Sequence, residues 1–202
     1  MTHKMSKAAL REKDMEKGIN REAEFEWYIN DTLKNFEIVS PGVLFDALCA
    51  RSNEYNFRNY FTTREAIVKV SVYLDYSSRM SDIFHIVGTP IFCKTKELAN
   101  AIVSGDDELL IRLANRVGFD TLSECLDFLR DYSVSCKSFA DYRHSIVAKT
   151  ITAHLGEEFK VRTSDVTLLL YSLSVAGILK RKDFVNREEM SLCTGFEIVD
   201  NP

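Results

Sequence analysis

The chain has 202 residues, 46% hydrophobic and 28% charged, with 30 acidic against 26 basic side chains and a formal net charge of -4. That length suits one large domain or two small ones, and the composition is globular rather than membrane-embedded. The acidic balance counts against wholesale electrostatic binding of nucleic acid, while leaving room for a local basic patch.

Taken in order, residues 1–19 read as a charged extension in which Ser6 to Lys17 forms a short helix with few apolar residues, interrupted at Gly18. Asn20 suits the N-cap of a helix to Phe36, with Phe25, Tyr28, Ile29, Leu33 and Phe36 along one face. Ser40-Pro41 opens another helix through Leu44 and Leu48, and the polar, aromatic stretch from Ser52 to Tyr60 reads as a loop. Thr62 and Glu65 have capping-box spacing, ahead of a helix with Ala66, Ile67, Val70 and Leu74 inward. Two apolar runs, Ile83 to Val87 and Ile91 to Cys93, flank Gly88-Thr89-Pro90 as a hairpin. Helices follow over Lys96 to Val103, Asp106 to Val117, Thr121 to Tyr132, and Phe139 to Leu155, the last stopped by Gly156. Phe159 to Lys182 then reads as an extended entry, a helix starting at Arg162-Thr163-Ser164-Asp165, a turn at Gly177 and a basic exit strand that Leu192 to Val199 pairs with.

Helix, turn and hairpin in this order resemble the second half of a winged-helix domain. The run of three helices and a hairpin over 20–94 is similar, and the two stretches around Thr62 and Arg162 repeat the element order. The expected fold is therefore mainly α with small β-hairpins (α+β), as two winged-helix-like domains, 20–94 and 137–202, joined by a helical segment 95–136. The resemblance implies a nucleic-acid-binding regulator or a replication or transcription accessory, with a non-enzymatic protein–protein interaction module as the alternative.

On the nucleic-acid reading, phosphate contacts come from helix starts and the wing: Thr63, Arg64, Lys69 and Arg79 in the first domain, and Lys160, Arg162, Ser164, Lys180, Arg181 and Lys182 in the second. Over 137–182 eight basic residues stand against four acidic ones, although Lys180-Arg181-Lys182 also fits a solvated strand end. The second helix shows no Arg, Lys, Asn or Gln to read base edges. Its second apolar stripe, Leu168, Tyr171 and Val175, is expected to meet other parts of the chain, a second copy in a homodimer or a protein partner.

Leu113 to Ser123 contains an alanine, a Val-Gly-Phe turn and a following serine, and is similar to the helix-turn-helix core of AraC-type regulators. Its second helix would present Asp120, Glu124, Asp127 and Asp131, which repel phosphates, so a helical hairpin is expected instead. The acidic segment 95–135 also suits a basic protein partner.

Five cysteines, Cys49, Cys93, Cys125, Cys136 and Cys193, form no C-x-x-C pair, and the four histidines add no ligand spacing. No metal, cofactor or catalytic residue is therefore expected. Cys136 with His144 lacks an orienting third group, and Asp106-Asp107-Glu108 suits a helix N-terminus better than a metal. Thiols within apolar runs point to a reducing, cytoplasmic compartment, and no signal peptide or bilayer-spanning run is evident.

Overall fold

The computed structural model describes residues 5–136, 148–159, 161–186 and 191–199. The protein is mainly α-helical with small antiparallel sheets, and divides into two compact units, Met1–Lys96 and Glu97–Pro202.

In the first unit the helices α1 (Lys7–Glu16), α2 (Arg21–Leu33), α3 (Pro41–Ala50) and α4 (Thr63–Arg79) surround strands β1 (Ile38–Val39), β2 (Phe84–Ile86) and β3 (Ile91–Cys93). Each helix begins on a side-chain cap. Asn20 accepts the N–H groups of Glu22 and Ala23, Ser40 accepts that of Val43 ahead of Pro41, and Thr62 accepts that of Glu65. The sheet order is β1-β3-β2, with Ile38 opposite Cys93 and Phe84 opposite the same cysteine on the other side. β1 escapes a pattern reading because two residues are too few to show strand alternation.

The core is aromatic. Phe25 of α2 lies 5.0 Å from both Phe57 and Phe61 in stacked arrangements, and Tyr28 meets Tyr55 edge-on at 5.4 Å. The segment expected as a plain loop therefore supplies core rings, with Phe57 in a single 3-10 turn. Cations close over the cluster: Arg11 over Phe61 at 4.8 Å, Arg21 over Tyr60 at 4.3 Å and Arg51 over Tyr28 at 4.9 Å. This also explains α1, which has no buried residue of its own. Lys7 donates to the carbonyls of Arg58 and Phe61, and Arg11 to that of Tyr60 at 2.6 Å and to Glu65 at 3.1 Å.

The second unit comprises α5 (Lys96–Ser104), α6 (Asp107–Asn115), α7 (Leu122–Cys136), α8 (Ala148–Phe159), α9 (Thr163–Val175), β4 (Leu179–Asn186) and β5 (Ser191–Ile198). α9 is its axis: α6, α8 and β4 all pack against it, and Val166, Leu168, Leu169, Leu170, Ser172 and Leu173 are buried. α9 ends in a Schellman pattern. Ile178 donates to Leu173 at 3.0 Å and Gly177 to Ser174 at 3.1 Å, with Gly177 at φ 78°, the left-handed conformation that favours glycine. β4 then pairs antiparallel with β5, Leu179 opposite Ile198. Segment 95–136, expected between two domains, packs inside this unit through α6 on α9 and α7 on β5. α8 runs through Gly156 to Phe159 instead of stopping at the glycine, because one helical glycine costs about 1 kcal/mol and does not block the backbone hydrogen bond. Residues 137–147, where that helix was expected to begin, lie outside the described residues.

Phe25→Ala removes the ring on which Phe57 and Phe61 both stack. It is expected to cost about 3–5 kcal/mol in chemical denaturation, a drop that circular dichroism would register directly.

Candidate functional site

α4 carries all four phosphate contacts expected of the first unit, Thr63, Arg64, Lys69 and Arg79. Its inward face is Ala66, Val70, Leu74 and Ser77. The outward face is also apolar: Val68, Val72, Tyr76 and Met80 recur every fourth residue and are 54%, 61%, 60% and 58% exposed. Sequence reading misses this stripe because Ala66, Val70 and Leu74 already supply an apolar face; Ile67, expected inward with them, is instead 38% exposed, since it lies one residue round from Ala66 towards the outward side. The signal available was the second set at the same spacing. Ser71 donates to the carbonyl of Ile67 at 3.0 Å, and Tyr73 lines a cavity of about 190 Å³ together with Asn30, Ser77 and Phe92.

The expected phosphate contacts of this unit do not converge. Thr63 and Arg64 are exposed in the first turn of α4, whereas Arg79 lies in its last turn, roughly 24 Å away at a rise of about 1.5 Å per residue. Lys69 turns inward, pairing with Glu22 and lying 5.4 Å from the Phe61 ring centre. Arg51 is likewise committed, donating to Thr32 at 2.8 Å and to Asp31 at 3.0 Å, and pairing with Glu54.

The first turn of α4 is electrostatically tight. Thr62 N–H donates to Glu65 Oε2 at 2.7 Å, Glu65 N–H donates back to Thr62 Oγ1 at 3.2 Å, and Arg11 adds a bond to the carboxylate. The Thr62 backbone bond, then the Thr62 hydroxyl and Arg11, hold the Glu65 carboxyl at about 2, below its ordinary 4.5.

In the second unit, Arg162 is the exposed, extended N-cap residue of α9 but makes no side-chain capping bond. Ser164 sits half-buried in the first turn, next to Asp165, whose carboxylate pairs with Arg116 at 2.6 Å. Lys160 lies outside the described residues. The basic triplet does not act together, because successive strand residues face opposite sides. Arg181 is clamped to Asp183 by bonds of 3.2 and 3.0 Å and lies 5.5 Å from the Tyr171 ring centre, while Lys182 pairs with Glu197 at 2.7 Å. Asp183 is held below its ordinary range chiefly by Arg181 and then by Thr194. Lys180, opposite Glu197 in the register, is exposed.

The stripe expected as a partner surface is largely the unit's own interior. Leu168 is 1% exposed, Tyr171 stands edge-on to Phe196 at 5.3 Å, and Val175 is half-buried. α9 is covered from several directions, so both of its apolar stripes find partners within the unit. The AraC-like segment is the α6–α7 hairpin, with Val117 and Phe119 buried in the turn. Thr121 and Glu124 cap α7, and Asp120, Glu124, Asp127 and Asp131 are exposed.

Among the described residues no helix is long and apolar enough to cross a membrane, and no group of three or more His, Cys, Asp or Glu side chains could hold a metal. His144 and the side chain of Cys136 lie outside the described residues. Comparison with known proteins finds no matching family model, curated protein or solved structure.

The depressed Glu65 carboxyl stabilises the folded state fully above pH 4.5, and that contribution disappears as pH falls towards 2. Glu65→Gln is therefore expected to cost less than about 1 kcal/mol at neutral pH, the side chain being partly exposed, and nothing near pH 2, as urea midpoints across pH will show. Burial pushes the thiols of Cys93 and Cys125 up to about 12. Both are expected to resist iodoacetamide in the folded protein and to react after denaturation, as peptide mass spectrometry of the alkylated protein will show.

Proposed function

We propose that this chain is a non-enzymatic protein-interaction module built on winged-helix-like units, with the outward face of α4 as its docking surface. The order α2, β1, α3, α4, β2, β3 with sheet order β1-β3-β2 supports the winged-helix reading of the first unit. The order α8, α9, β4, β5, with α9 against β4, supports it for the second. In a helix-turn-helix protein the helix at the place of α4 is the one that enters the major groove.

The observation that carries the proposal is what that helix displays. A base-reading helix presents Arg, Lys, Asn or Gln between its ends. α4 instead presents Val68, Val72 and Tyr76, with Asp75 beside them and with Arg64 and Arg79 only at the two ends. Bringing this face to a phosphate backbone would leave apolar side chains against polar groups and set Asp75 against like charge. A protein surface matches it better. The basic residues of β4 add little, since Arg181 and Lys182 are already neutralised within the unit.

Nucleic-acid binding is the competing reading, and a salt series separates the two. Fluorescence anisotropy with labelled duplex and single-stranded DNA is expected to show no affinity beyond weak low-salt association. Tight binding that weakens steeply with salt, and that Arg64→Ala with Arg79→Ala or Lys180→Ala with Lys182→Ala abolishes, would replace the docking reading with the nucleic-acid one.

A further inference from the structure

We infer that the cavity between α2, α4 and the three-stranded sheet binds a free α-amino acid with an aromatic or branched apolar side chain. The inference stands apart from the docking reading and uses none of its residues.

The cavity lies at one end of the sheet. Ile38 and Phe84 both stand opposite Cys93, so the residues just outside the strands, Glu37, Ile83 and Lys94, share that end. The Lys94 N–H donates to the Glu37 carbonyl at 2.7 Å, and Asp82 adjoins Ile83. α2 and α4 both finish here, α2 with Leu33 and Lys34 and α4 with its last inward residue, Ser77. The lining changes character with burial. Val39, Ile83 and Phe92 are buried and apolar, with Phe36 half-buried beside them. Tyr73 and Ser77, hydrogen-bonded to each other through their side chains, add polar groups to that interior. The exposed lining is charged and of both signs: Lys34 and Lys94, Glu37 and Asp82. An apolar interior with a few convergent polar groups is the usual make-up of a small-molecule site.

Size limits the occupant. The volume of about 190 Å³ lies below the roughly 300 Å³ at which sites for drug-sized ligands begin. An apolar cavity of about 150 Å³ holds benzene. The space therefore suits one aromatic ring or a branched aliphatic group, with a short polar end at the rim.

That end has to meet both signs. Among the described residues, neither Asp82 nor Lys94 is held in an ion pair. A simple anion would be repelled by Asp82, and a simple cation by Lys94. An α-amino acid carries an ammonium and a carboxylate on one carbon, and offers each rim charge its opposite through a charge-assisted hydrogen bond. The C-terminal end of α4, next to Asp82, adds partial negative charge on the ammonium side.

The backbone itself sets the position of Asp82. Ser81 N–H donates to the Ser78 carbonyl at 3.2 Å and Asp82 N–H to that of Ser77 at 3.0 Å, a Schellman arrangement closing α4. Ser81 occupies its left-handed position at φ 65°, the one non-glycine residue to do so among the described residues. A conformation that favours glycine is thus carried by serine one residue before the rim carboxylate, and strain of this kind gathers at ligand clamps.

The test is isothermal titration calorimetry on the full chain. L-phenylalanine and L-leucine are expected to bind with dissociation constants between about 10 μM and 1 mM, a range open to ligands of about a dozen non-hydrogen atoms. Phenethylamine lacks the carboxylate and hydrocinnamate lacks the ammonium, and each is expected to bind at least tenfold more weakly. Asp82→Asn and Lys94→Gln, both at exposed positions, are expected to weaken L-phenylalanine at least tenfold with an unchanged circular dichroism spectrum. In nuclear magnetic resonance, the amide signals of Tyr73, Ile83 and Phe92 are expected to move on titration with L-phenylalanine. No heat with either amino acid at millimolar concentration overturns the inference. So does phenethylamine or hydrocinnamate binding as tightly as L-phenylalanine, an unchanged affinity in either variant, or amide shifts that leave those three residues still.

Discussion

The first unit depends on the stacking of Phe25 between Phe57 and Phe61. Two of the three rings come from a stretch with almost no regular structure, so their burial is what ties that stretch to α2. Phe61 immediately precedes the Thr62 cap, so locking that ring also sets where α4 starts and how it is rotated about its axis. Once the rotation is set, Ala66, Val70 and Leu74 turn inward, and Val68, Val72 and Tyr76 turn outward as a consequence. The outward apolar face is thus the far side of a helix whose near side the aromatic cluster orients.

The cations around that cluster act at the rim. Arg11, Arg21, Arg51 and Lys69 each lie over an aromatic ring and each meets a carboxylate, so they cover ring faces while keeping their charge solvated. They hold α1 and the polar loop in place at modest energy. They are also unavailable to an external anion. In the second unit Asp183 and Glu197 do the same to Arg181 and Lys182. Local neutralisation therefore runs through both units, and a count of basic residues along the chain overstates the positive surface.

Local features were legible because their causes are local. Asn20, Ser40 and Thr62 each carry an oxygen one turn from an orphan backbone N–H, so the caps can be read without knowing the fold. The turn at Gly177 and the hairpin around Gly88 follow for similar reasons, since left-handed backbone favours glycine. β1 was not legible because its partner, β3, lies far along the chain. The outward direction expected of Lys69 failed because Glu22 and Phe61, which turn it inward, belong to elements whose approach is a tertiary event. Leu168 reads as a spare apolar stripe until α6, α8 and β4 close around α9.

By itself, then, the sequence determined the helices, their caps, the hairpins and the mainly helical class, since these follow from propensity and hydrogen-bond stereochemistry within a few residues. Only the tertiary structure decided which apolar stripes are core and which are surface. A helix with two apolar sides is locally the same object in α4 and in α9. What differs is the packing: α9 is covered on both sides within its unit, whereas α4 is covered on one side and leaves Val68, Val72 and Tyr76 facing outward.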